Sequence, residues 1–158
     1  MAVLGAAAGG GKSVLQTLSF INSTTWSPAQ DMSAKVYVIG AGGSGAGGTY
    51  VGTGGGAGGC AVTIADLAAS TTYTITIGAP GLPVHFGPSN ENAGGNTTLA
   101  GSGISTLTGS GGQAGLYGSS AATKAGGAGG AESGGTYGNF TGGAGGATSG
   151  SGASYMAT

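Results

Sequence analysis

Two stretches of the sequence have the glycine spacing of phosphate-binding loops. The first, GAGGSG at 40–45, is a GxGxxG pattern that follows an apolar run ending at Ile39, and Asp66 lies downstream at about the distance of a ribose contact. The second, AAAGGGKS at 6–13, is a loose P-loop pattern with alanine in place of the first glycine. Both kinds of motif bind phosphate through backbone N–H groups at the start of a helix.

The helix that each motif requires is not expected to form here. More than half of residues 46–59 are glycine, and each glycine inside a helix costs about 1 kcal/mol relative to alanine. Only five residues precede the P-loop pattern, and the segment after it, 14–20, has the composition of a strand. We therefore reject a nucleotide-binding enzyme and expect no cofactor.

Titratable side chains are too few and too scattered for acid–base or metal chemistry. The 158 residues include three lysines, four carboxylates and one histidine, with a net charge of −1. Nucleic-acid binding needs basic side chains that neutralise phosphates, and acid–base catalysis needs titratable groups held close together, so we expect neither. Cys60 is the only cysteine, which excludes an internal disulfide, and its place at the head of an apolar run predicts a buried small hydrophobe.

The chain is expected to form strands and almost no helix. Alternating and β-branched runs predict strands at 14–20, 34–39, 60–65, 71–77, 96–99 and 103–108, and three prolines predict an irregular loop over 78–95. We predict an all-β fold, a small β-sandwich or jelly-roll-like body at 14–108 with a glycine-rich insertion at 40–59. A flexible arm at 1–13 would precede it, and a glycine-rich region at 109–158 would follow it. No apolar run is long enough for a transmembrane helix, and the first residues lack the features of a signal peptide.

Glycine makes up 41 of the 158 residues, and its tracts repeat every three residues. Ala125, Ala128 and Ala131 recur with glycine pairs between them, and the same repeat runs from 142 to 147. Three residues per turn is the period of the polyproline-II helix, which glycine can also adopt. We therefore expect packed polyglycine-II helices, with flexible linkers as the alternative.

Bulky side chains set among the glycines are the candidates for surface recognition. They are Tyr117, Tyr137, Phe140 and the pair His85 and Phe86 of the proline-rich loop. Exposed aromatic rings on a smooth scaffold suit stacking on a carbohydrate or anchoring on an apolar surface. They suit equally the covering of glycine-helix edges, and for His85 and Phe86 local packing is the alternative.

The order of these segments resembles the glycine-rich domain of bacteriophage tail-fibre and related virion proteins. The similar segments are TTWSPA at 24–29, KVYVIGAGGSGAGG at 35–48, GGAGGCAVTI at 55–64 and TYTITIGAPG at 72–81, within about residues 18–115. The resemblance implies a β-sandwich body with glycine-rich insertions, placed on a virion near a receptor-binding tip. Residues 109–150 are also similar to phage adhesins with packed polyglycine helices, which would place recognition in 116–125 and 132–141.

The resemblance implies a non-enzymatic virion structural protein, a tail-fibre or tip component that contributes to host-surface recognition. The expected partners are other virion proteins, copies of the chain itself in a homo-oligomer such as a trimer, and a host cell-surface glycan or outer-membrane protein. The alternative is a capsid-associated decoration or head-fibre protein that stabilises the particle through its N-terminal arm. In both cases the chain would be made in the host cytoplasm and act on the virion, with no nucleic-acid partner and no membrane insertion.

Overall fold

The computed structural model describes residues 2–7, 16–47, 52–82, 92–118 and 123–148. Within these ranges the chain forms ten β-strands and no helix. The strands are β1 Ala2–Ala7, β2 Gln16–Phe20, β3 Thr24–Trp26, β4 Met32–Ile39, β5 Cys60–Leu67, β6 Tyr73–Thr76, β7 Thr97–Ala100, β8 Leu107–Gly109, β9 Glu132–Ser133 and β10 Gly138–Phe140. The expected all-β fold is confirmed.

The strands form two five-stranded antiparallel sheets that pack face to face as a sandwich. Sheet A has the order β10-β5-β4-β1-β2, and sheet B has the order β3-β6-β7-β8-β9. Alternate residues of β4 and β5 face sheet B, because successive side chains of a strand point to opposite faces. The buried core drawn from both sheets consists of Ala34, Val36, Val38, Ala61, Ala65, Leu67, Tyr73, Ile75, Leu99 and Leu107.

Trp26 anchors one side of the core, as an aromatic residue of its size would be expected to do. Its ring centroid lies 6.1 Å from that of Phe20 and 6.3 Å from that of Tyr73. Tyr73 is buried, and its hydroxyl accepts a hydrogen bond of 2.9 Å from the N–H of Ala68. The polar end of this large core side chain is therefore satisfied.

Seven extended glycine-rich runs continue the strands at one end of the sandwich. They cover residues 40–46, 53–59, 78–81, 92–95, 110–118, 124–131 and 142–148. The end of β4 leads into 40–46, and 53–59 leads into β5. Because β4 and β5 meet at the pair Ile39 and Cys60, these two runs lie side by side. We call the seven runs together the glycine bundle.

Backbone hydrogen bonds join neighbouring runs at every third residue. Three donors in 40–46 bond to three acceptors in 53–59 at 2.9 Å each: Gly40 to Gly59, Gly43 to Gly56 and Ala46 to Thr53. The run 53–59 also bonds to 110–118, 124–131 and 142–148, so it lies at the centre of the bundle. A repeat of three residues is that of the polyproline-II helix. The expectation of ordered polyglycine-II helices is therefore confirmed for these runs.

Close packing of the runs explains which positions are glycine. A Cβ atom at Gly56 or at Gly129 would lie closer than 3.0 Å to a backbone carbonyl group of a neighbouring run. In the run 124–131, by contrast, Ala125, Ala128 and Ala131 are exposed. The repeat of three therefore places one side chain per turn in solvent and two bare backbone faces against neighbours.

The organisation of the chain differs from expectation at both ends. Over Ala2–Ala7 the expected flexible arm is strand β1, which pairs with β2 on one side and β4 on the other. The glycine-rich region expected at 109–158 is part of the body over its described residues. Its runs bond to 40–46 and 53–59, β9 belongs to sheet B and β10 belongs to sheet A. The reason is that backbone groups of side-chain-free tracts need partners, and tracts distant in sequence supply them.

Candidate functional site

The outer face of sheet A, turned away from sheet B, carries a lysine held between two tyrosine rings. The Nζ of Lys35 lies 5.2 Å from the ring centroid of Tyr37 and 4.4 Å from that of Tyr137. Tyr37 follows two residues later on β4 and so shares the face. Tyr137 comes from the turn before β10, where its N–H donates to the Val62 carbonyl at 3.0 Å. The cation orients both rings.

The charge of Lys35 is favoured by its surroundings. A hydrogen bond to the Tyr37 side chain raises the pKa of Lys35, an effect that desolvation opposes and that the charges of Tyr37 and Tyr137 reinforce. The ammonium group therefore stays protonated at neutral pH. The cation–π contacts with the two tyrosines persist accordingly.

Phe140 lies on the same face, where sheet A meets the glycine bundle. It pairs with Cys60 across β10 and β5, and its ring packs over Gly138, where a Cβ atom would lie 2.9 Å from the ring. Tyr137 is 63% exposed and Phe140 is 61% exposed. We call Lys35, Tyr37, Tyr137 and Phe140 the aromatic face. Two of the candidate recognition residues are thus brought to one exposed surface.

Tyr117, a third candidate residue, is not brought to the aromatic face. Tyr117 is half-buried and lies in the run 110–118, toward the far end of the bundle. It lies eight positions after Gly109, the last residue of β8, which corresponds to about 25 Å at about 3.1 Å per residue. His85 and Phe86 lie outside the described residues. Among the described candidates, Tyr117 therefore does not cluster with Tyr137 and Phe140.

A cleft of about 240 Å³ lies along the edge of β5. β10 pairs only with Cys60–Val62, so no described strand covers that edge from Thr63 onward. The loops before β8 and before β10 form the walls of the cleft instead. It is lined by Thr63, Ile64, Ala65, Asp66, Gly103, Ile104, Ser105, Leu107, Gly134 and Thr136. Residues from both faces of β5 contribute, because the cleft follows the strand edge.

The cleft contains polar groups that the sequence reasoning did not identify as a site. Thr63 is 6% exposed and occupies an inward position of β5, and its Oγ1 lies 2.6 Å from that of Thr136. The sequence suggested only a ribose contact for Asp66, in a nucleotide-binding fold, whereas the described residues form an all-β sandwich. The available signal was Thr63 itself, a polar residue at a core position of an alternating run.

Cys60 is half-buried, which is less than the full burial expected for it. Burial raises the pKa of its thiol, and the charge of Glu132 raises it further. Among the described residues, no group of three or more histidine, cysteine or carboxylate side chains could hold a metal ion. The same part of the chain contains no helix long and apolar enough to cross a membrane.

The GxGxxG stretch lies inside the glycine bundle. The described residues after 40–45 include no helix, and the N–H groups of Gly40 and Gly43 are bonded to the run 53–59. Donors that would hold a phosphate in a nucleotide fold are therefore used by a neighbouring run. Of the P-loop-like stretch, Ala6 and Ala7 end strand β1, and residues 8–13 lie outside the described ranges.

Comparison with known proteins gives one family. The chain matches none of the curated proteins and none of the solved structures. A family model described as a glycine-rich domain matches residues 16–158. That span includes nine of the ten strands and all seven runs of the bundle. The chain therefore belongs to the glycine-rich domain family.

Proposed function

We propose that the chain is a non-enzymatic structural protein of a bacteriophage particle, a tail-fibre or tip component that contributes to recognition of the host surface. The observation that carries the structural role is the glycine bundle, which lengthens the sandwich at one end through backbone contacts alone. The placement on a virion rests on the resemblance of the strand and glycine segments to phage proteins. The partners would be other virion proteins and copies of the chain.

The bundle supports a role in rigid extension. In the run 124–131 two of three positions per turn face a neighbouring run and accept no side chain, as at Gly129, and Gly56 of the central run is equally enclosed. Hydrogen bonds at every third residue tie the central run 53–59 to four other runs. Such an element resists bending and offers few groups for chemistry, which suits a component that bears or presents a surface.

The aromatic face supports a role in recognition. Tyr137 and Phe140 are each more than half exposed, and the Lys35 cation holds the Tyr137 ring in place. Ordered, exposed aromatic side chains are enriched among the residues that contribute most to binding. A host-surface glycan or outer-membrane protein would dock on this face.

The alternative is a capsid decoration protein held by a flexible N-terminal arm, and the strand pairing of residues Ala2–Ala7 does not support such an arm. Residues Ala2–Ala7 are hydrogen-bonded within sheet A. A strand paired on both sides is not free to thread into a neighbouring subunit. Immunogold labelling of intact particles separates the two proposals, because a tail component labels the tail and a decoration protein labels the capsid.

A cell-binding competition assay tests the recognition role. The unlabelled chain should compete with the fluorescently labelled chain for host cells. The double substitution Tyr137→Ala and Phe140→Ala should weaken competition at least about tenfold, which corresponds to about 1.4 kcal/mol for the pair. Ile21→Ala is the matched control, because Ile21 is 72% exposed and lies outside the aromatic face. Undiminished competition by the double variant would remove the aromatic face from recognition, and no binding to any host cell would remove the receptor role.

A further inference from the structure

The cleft along the edge of β5 is built from two loops that each turn at a left-handed glycine. Gly103 has a φ of 83° and Gly134 a φ of 81°, and they are the glycines with positive φ in the described part of the chain. A Cβ atom at Gly134 would contact the carbonyl of Thr106, so the loop before β10 packs directly on the loop before β8. This contact fixes the two walls of the cleft relative to each other.

Thr63 gives the floor of the cleft a polar group in a position that packing alone would fill with an apolar residue. Its neighbours on the inward face of β5, Ala61 and Ala65, are buried and apolar. Burying a hydroxyl is unfavourable unless it is hydrogen-bonded, and Thr63 is bonded to Thr136. The Thr63 hydroxyl also donates to the Ile64 carbonyl at 3.4 Å. A hydroxyl is one donor and two acceptors, so the pair retains acceptor capacity for a hydroxyl group of a further partner at the cleft.

The rim of the cleft adds further polar groups and apolar surface. Asp66 is exposed and has no hydrogen bond or ion pair to any described residue, and its carboxylate accepts hydrogen bonds at two oxygens. Ser105 adds a hydroxyl from the opposite wall. Ile64 and Ile104 provide apolar surface beside these groups. No lysine is among the described residues that line the cleft, so none of them offsets the charge of an anionic ligand.

We propose that this cleft binds a neutral sugar, one monosaccharide unit of a glycan, with Asp66 accepting hydrogen bonds from its hydroxyl groups. The combination of a carboxylate, three hydroxyls and adjoining apolar surface matches a ligand that has many hydroxyls and a C–H face. The volume is below the range of about 300–1,000 Å³ typical of drug-sized ligands, which suits one sugar ring.

The site is separate from the aromatic face, and its test needs neither a host cell nor a virus particle. The proposal can therefore fail while the proposed function stands, and the reverse also holds. Methyl glycosides of glucose, galactose and mannose are titrated individually into the ¹⁵N-labelled full chain and followed by amide chemical shifts. Glucuronate is the anionic comparison.

The expected result is saturable shift changes at Gly103, Ser105 and Gly134 with at least one neutral glycoside, and a Kd of about 1–10 mM, as befits a small ligand. Asp66→Asn should raise that Kd about tenfold, the loss typical of a hydrogen bond to a charged group. Gly143→Ala is the matched control, because nothing lies within 4 Å of the added Cβ, and it should bind as the parent does. Unchanged amide shifts away from the cleft establish that each variant is folded.

Three results would overturn the proposal. The first is the absence of shift changes with all three neutral glycosides up to about 100 mM, since even a weak site saturates there. The second is an Asp66→Asn variant that binds as tightly as the parent. The third is tighter binding of glucuronate at the same amides.

Discussion

A single methyl group placed at two positions of the glycine bundle should have opposite effects on stability. At Gly56, in the central run, the Cβ of alanine would contact the carbonyl group of Ala128 in the run 124–131. At Gly143, in the run 142–148, nothing lies within 4 Å of the added Cβ. Neither glycine has a positive φ, so the two substitutions differ in packing and not in backbone strain.

The magnitude follows from what must move. The contact at Gly56 is with backbone, which cannot rotate away as a side chain can, and overpacking of this kind costs about 1–3 kcal/mol. Displacement of the run also strains the hydrogen bonds that Gly56 makes to Gln113 at 2.8 Å and to Gly43 at 2.9 Å, each worth about 0.5–1.5 kcal/mol. Gly56→Ala should therefore cost about 2–6 kcal/mol. Gly143→Ala should stabilise by about 0.4–1 kcal/mol, because alanine restricts the unfolded chain.

Thermal and urea unfolding of the two variants measure this difference. For a chain of this size about 1 kcal/mol shifts Tm by about 2–4 °C, so Gly56→Ala should lower Tm by about 4 °C or more. Gly143→Ala should raise Tm by about 1–4 °C. If Gly56→Ala proved no more destabilising than Gly143→Ala, the runs would not be packed backbone to backbone, and the physical account of the bundle would be wrong.

Three further outcomes follow from the same structure. Burial and the nearby Glu132 raise the pKa of Cys60, so less thiolate is present at a given pH. Because Glu132→Gln removes the negative charge, the pH midpoint of iodoacetamide alkylation should fall in that variant. An unchanged midpoint would contradict the effect of Glu132 on the Cys60 pKa. Tyr73→Phe removes the hydroxyl that accepts from Ala68 and should cost about 0.5–1.5 kcal/mol in urea unfolding, whereas a neutral effect would mean that the bond contributes nothing. Gly103→Ala has free space but a φ of 83° and should still cost about 1–2 kcal/mol, so unaltered stability would argue against that backbone conformation.

Local pattern was sufficient to predict most of the strands. The alternation of Tyr73 and Ile75 with threonines predicts a strand at 71–77, and the structure has strand β6 at Tyr73–Thr76. The β-branched run ending at Ile39 predicts a strand at 34–39, and β4 is Met32–Ile39. The repeat of three at Ala125, Ala128 and Ala131 predicts the polyglycine-II period, which the backbone hydrogen bonds follow. These features depend on side-chain period alone, which the sequence carries directly.

The N-terminal strand could not be predicted in this way. Residues Ala2–Ala7 are small and interrupted by glycine, and they become a strand because β2 and β4 offer backbone partners on both sides. The cleft at Asp66 could not be predicted from the sequence either. It forms because β10 pairs with only the first three residues of β5 and two distant loops fill the remaining edge.

The sequence by itself determined the all-β fold, the three-residue period of the glycine tracts and the scarcity of charged groups. The tertiary structure decided which tracts pack on one another, so that 53–59 became central and 142–148 kept an open face at Gly143. It also brought Tyr137 and Phe140 to one surface and left Tyr117 toward the far end of the bundle. The physical reason is that a run without side chains carries no pattern that specifies its neighbour. Its partners follow from the strand register at the end of the sandwich, and that register is a property of the whole fold.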